Sequence, residues 1–106
     1  MSATTEIHTT PIDLIAEDKV NAYVNLPTGT GSPEQAVAAL VREAVAVGVE
    51  YLRCGTEHTS ITGSHNDELY GRALGLARAV EIATQGKITE DDVIGTVRVC
   101  YVEEIA

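Results

Sequence analysis

Apolar residues recur with two different periods along this chain. Between Lys19 and Leu26 they alternate, with Val20, Ala22, Val24 and Leu26 on one side and Lys19, Asn21, Tyr23 and Asn25 on the other. That is the repeat of a half-buried strand. Upstream, Pro11 to Asp18 predicts a short helical turn capped by Thr10, with Asp13 three residues on. From Pro33 to about Val47 the spacing becomes helical, and Val37, Leu40, Val41 and Ala44 form one stripe. Gly48 then suits the left-handed residue that closes a helix. Val49 to Cys54 reads as a second strand. Ser64 opens a second helix that runs to about Thr84, with Leu69, Ala73, Leu76, Ala77, Val80 and Ala83 on one face and Gly86 at its end. Thr89 and Asp92 suggest a single helical turn. Val93 to Glu103 is Val-rich and reads as a last strand, with Val97, Val99 and Tyr101 facing one way and Arg98, Cys100 and Val102 the other. Gly55 to Gly63 is polar and rich in Thr and Ser, either a loop or a turn followed by a short strand at 58–62.

This order predicts an α+β two-layer sandwich, with the helices packed on one face of a sheet. An all-α chain is the rival, because four capping boxes are present: Thr10/Asp13, Ser32/Gln35, Ser64/Asp67 and Thr89/Asp92. The alternation at 19–26 and the β-branched density at 93–102 favour the sheet. Residues 1–10 read as a frayed polar tail, and residues 11–106 as a single domain.

Composition narrows the partners. With no Phe and no Trp the core must be aliphatic, and the four Tyr sit at its edges. Sixteen acidic residues against seven basic ones give a formal charge of −9, and no basic stripe is visible to neutralise phosphates, which argues against nucleic acid and anionic membranes. No apolar run approaches spanning length and Met1 to Pro11 lacks a signal peptide's regions, so the expected compartment is the cytoplasm. Cys54 and Cys100 form no CxxC and read as small core residues on strands.

Two segments carry candidate chemistry. Gly29-Thr30-Gly31-Ser32 runs from a strand onto the helix start at Pro33, where backbone N–H groups can meet an anion or polar ligand. The plain alternative is a well-made strand-to-helix turn. Further on, His58 and His65 flank a hydroxyl-rich stretch. A pocket at the second helix N-terminus would join His65 and Asn66 to Thr59, Ser60 and Ser64 for a small polar or anionic ligand, with His58 and His65 as candidate proton-transfer groups. A solvated loop with capping side chains explains the same residues. Glu57, His58 and His65 match no strong metal-ligand spacing.

The arrangement resembles formaldehyde-activating enzyme, a family that condenses formaldehyde with tetrahydromethanopterin. The resemblance rests on Lys19 to Pro33, on Leu14-Ile15-Ala16-Glu17-Asp18 before it, and on the second helix with Gly86 and Asp91-Asp92-Val93-Ile94-Gly95-Thr96-Val97-Arg98-Val99. It covers about two thirds of the chain. It implies a ribosomal-S5-domain-2-like βαββαβ sandwich, assembled as a homo-oligomeric ring such as a pentamer, with sites between subunits and a tetrahydromethanopterin-like pterin as cofactor. At the family's catalytic His position this chain has Ala22, the acidic residue two further along falls on Val24, and the middle of the chain is shorter.

Two functional readings follow. One is a divergent, lyase-like enzyme or pseudo-enzyme taking a small aldehyde, amine or pterin-like ligand at a subunit interface. Asn21, Tyr23 and Gly29 to Ser32 would line its pocket, and His58 and His65 would supply the proton chemistry that Ala22 cannot. The other is a non-catalytic homo-oligomeric module that binds a ligand or a partner protein.

Overall fold

Four helices make up a computed structural model of the chain, which describes residues 8–25, 33–57 and 63–105, with the backbone alone at 55–57 and 63–66. They are α1 (Pro11–Val24), α2 (Pro33–Glu57), α3 (Gly63–Ala83) and α4 (Glu90–Ile105). No strand occurs among the described residues, so the α+β sandwich, and with it the ribosomal-S5-domain-2-like sheet, is corrected to an all-helical bundle.

The correction has a local cause in each misread segment. Val20 and Val24 are four apart, a spacing that fits a strand's period of two and a helix's turn equally well. In α1 the buried positions are Asp13, Ala16 and Val20, a helical series, while Ala22 is exposed. The turn capped by Thr10 therefore continues through the expected first strand. Thr10 Oγ1 accepts from the Asp13 N–H at 3.2 Å, and Asp13 Oδ2 accepts from the Thr10 N–H at 3.0 Å. Pro11 sits at the helix start, where its missing N–H costs nothing.

In α2, Gly48 does not end the helix. A Cβ there would lie 2.5 Å from Val97 Cγ2, so its hydrogen lets α4 approach, and the helix runs on through the expected second strand. Val93 to Glu103 is helical too. Val93 and Val97 enter one side of the bundle's interior and Val99 another, so tertiary burial overrides β propensity. Cys54 and Cys100 lie on helices rather than strands, each partly buried. The Thr89 box opens α4 rather than a single turn: Thr89 Oγ1 accepts from the Asp92 N–H at 3.1 Å, and Asp92 Oδ2 from the Thr89 N–H at 2.9 Å.

Helices α2 and α3 form one hairpin, and α1 lies along α4 as a second pair. The core between them is small-residue aliphatic: Val20 from α1, Val41 and Ala44 from α2, Ala77 and Val80 from α3, and Val93 and Val97 from α4. Ile88 plugs its end from the α3–α4 turn and is 1% exposed. That turn needs left-handed backbone at Gln85 and Gly86, with φ of 54° and 81°. Thr84 Oγ1 donates to the Val80 carbonyl at 2.8 Å and accepts from the Ile88 N–H at 3.1 Å, tying the end of α3 to the plug.

The α1–α4 pair is joined by its own caps. Asp13, the capping carboxylate of α1, lies 3.5 Å from Arg98 of α4, and Asp92, the capping carboxylate of α4, accepts from Lys19 of α1 at 2.7 Å. Gly95 sits between these two bridges. A Cβ on it would meet Asp13 Oδ1 at 3.0 Å and Ala16 Cβ at 3.2 Å.

Candidate functional site

The far side of α4 is open. Between α3 and α4, with α2 as floor, runs a groove of about 250 Å³. Ala44 and Gly48 of α2 form its base, Tyr70 and Leu74 stand on α3, and Ile94 and Arg98 stand on α4. Small residues on the floor leave the depth, and the larger side chains on the walls keep α3 and α4 apart. Tyr70 is 51% exposed and Ile94 36%, so both present apolar surface to solvent. Tyr51 of α2 packs against Tyr70, ring centroids 5.3 Å apart and planes tilted by 49°, which holds one wall in place.

Charged groups frame this groove without filling it. At the α3–α4 turn Arg78 donates to Glu90 at 3.1 Å, and the Glu90 N–H donates to Glu81 Oε1 at 2.8 Å, which closes that end. Arg98 belongs to the lining, but its guanidinium is drawn back to Asp13 of α1. Asp67 lies three positions before Tyr70, and Asp91 three before Ile94, so helical spacing sets each exposed carboxylate above a groove wall.

A second, shallower hollow lies where the end of α1 meets the α3–α4 turn, lined by Lys19, Ala22, Tyr23, Lys87 and Ile88. Tyr23 therefore reaches a depression, but Asn21 does not join it. Two residues apart on a helix is about 200° around the axis, where on a strand it would have been the same face. Ser64, His65 and Asn66 fall in the first turn of α3. His58, Thr59 and Ser60 lie outside the described residues, as do Gly29, Thr30, Gly31 and Ser32. Among the described residues no group of three or more His, Cys, Asp and Glu could hold a metal ion. No helix of the described residues is long and apolar enough to cross a membrane.

One edge of the α1–α4 pair is acidic. Burial, then the Glu103 charge and a hydrogen bond with Glu103, then Asp18, push the Glu17 carboxyl above its usual range. Burial and the charges of Glu17 and Glu103 likewise raise the Cys100 thiol, which leaves it the less nucleophilic.

From the sequence, Ala44, Gly48 and Ile94 read as a core stripe, a helix end and a strand, and Tyr70 and Leu74 belong to no motif. Ile94 and Arg98 are four apart and share a face on a strand as on a helix, but Val93 and Val97 join them at the groove only on a helix. Tyr70 and Leu74 form a second apolar line on α3 beside the core face, and that second line was the available signal. Comparison with family models, curated proteins and solved structures finds no match for this chain.

Proposed function

We propose that this chain is a non-catalytic binding module whose α3–α4 groove receives the apolar side chains of a partner helix. The observation that carries this reading is the groove itself: an apolar trough between two helices, floored by a third, with Tyr70 and Ile94 exposed on its walls. A helix lying in such a trough buries a line of residues spaced i, i+4, i+7, the mode by which amphipathic segments dock. The groups needed for catalysis do not converge there. Its one charged lining side chain, Arg98, is engaged by Asp13.

The test is titration with a synthetic amphipathic peptide of about 15 residues, long enough for marginal helicity, with Leu at i, i+4 and i+7 and Gln elsewhere. Saturable binding is expected, with amide NMR shifts clustered on residues 44–52, 70–77 and 93–98. It should be lost in a Tyr70→Ser/Ile94→Ser variant, whose substitutions fall on exposed positions and leave the fold intact. Binding unaffected by that variant, or no saturable binding by any peptide that carries this Leu line, would overturn the reading.

A further inference from the structure

We infer that the partner helix is cationic, its apolar line flanked by Lys or Arg. The inference rests on the groove reading and adds the partner's charge. Two arginines stand at the groove, and each is matched within the chain, Arg78 by Glu90 and Arg98 by Asp13. Asp67 and Asp91 stand beyond those pairs, exposed, one above each wall. The rim is thus net negative on both sides, and the chain behind it carries −9.

A helix seated between the walls would present its flanks to Asp67 on one side and Asp91 on the other. Basic flanks gain attraction from both carboxylates and from the whole-chain field, which also speeds encounter. Acidic flanks meet repulsion from both. The apolar line supplies the contact, and the rim selects the sign of the partner.

Three peptides with the same Leu line and with Gln, Lys or Glu at the polar positions separate this from the groove reading. A fourth, with the Lys composition scrambled to destroy the line, controls for diffuse attraction. At low salt the Lys peptide should bind about tenfold tighter than the Gln peptide and the Glu peptide about tenfold weaker, with both gaps shrinking at higher ionic strength. Asp67→Asn/Asp91→Asn should remove most of the gap while circular dichroism stays unchanged.

Equal affinity of the Lys and Gln peptides would overturn the charge inference and leave the groove reading standing. Binding of the scrambled peptide as tight as that of the ordered one would also overturn it, by showing attraction without docking. Failure of the Gln peptide alone, with the ordered Lys peptide bound at the groove, would support the inference. Failure of every peptide would overturn both.

Discussion

Helix α4 has α1 on one flank and α3 on the other and meets them in opposite ways. Against α1 it is sealed: Gly95 removes a side chain where Asp13 and Ala16 press in, and each helix's capping carboxylate reaches a cation on the other. Against α3 it is propped open by Leu74, Tyr70 and Ile94 over a floor of Ala44 and Gly48. The core beneath both seams is made of the same Val and Ala. What separates them is side-chain size at the crossing and whether the flanking charges bridge the seam or frame it. A sealed seam holds the bundle together, and an open one leaves surface to offer.

The sharpest way to break this contrast is Gly95→Val. A branched side chain would drive into the α1 backbone beside Asp13, and overpacking of this kind costs about 2–3 kcal/mol. Thermal unfolding should shift down by roughly 10 °C or more. A change of less than a degree or two would mean that the α1–α4 seam is looser than its contacts suggest.

A middle-sized effect should follow pH. Burial alone would raise the Asp92 carboxyl, but the Lys19 hydrogen bond, the Thr89 backbone N–H and the Lys19 charge outweigh it and hold the group below its usual range. Its contribution is therefore complete above the unfolded value of about 3.9 and fades as pH falls through the lower folded value. Glu17 has the opposite sign. Its raised folded value makes ionisation a cost, present at neutral pH and relieved as acid protonates it. Asp92→Asn should lose about 0.5–1 kcal/mol at neutral pH and little near pH 3. Glu17→Gln should raise the melting temperature at neutral pH. Denaturation followed from pH 7 to pH 3 checks both, and parallel curves for the two variants would refute the assignment.

The smallest effect should come from α3's outer face. Gly75 is exposed, and a Cβ there meets nothing within 4 Å. Gly75→Ala should stabilise by about 0.5–1 kcal/mol through helix propensity, where Gly95 admits no such gain. Urea titration of the pair would put numbers on how differently two glycines can serve one bundle.

Helix starts were more legible than helix extents. Thr10/Asp13 and Thr89/Asp92 are visible as capping boxes and form both of their hydrogen bonds, because a cap is local chemistry. The end of α3 was visible for the same reason, in Gly86. Where Gly48 stops nothing and Val93 to Val102 stays helical, the deciding contacts lie on another helix. No window around Gly48 contains Val97. The groove was hidden by the same limit: its walls come from α3 and α4 and its floor from α2. The candidate residues of the glycine loop and of 58–60 lie outside the described residues, whereas Tyr70, Leu74, Ile94 and Arg98 line the groove.

The crossed caps of α1 and α4 carry a cost in time. Lys19 and Asp92 are 73 positions apart. At a translation rate of about 5–20 residues per second, roughly 4–15 s separate their emergence from the ribosome. Helix α1, with its apolar face made and its partner not yet synthesised, must wait through the whole α2–α3 hairpin. For those seconds the nascent chain exposes the surface that α4 will later cover around Gly95, and that is the interval in which a chaperone has something to hold.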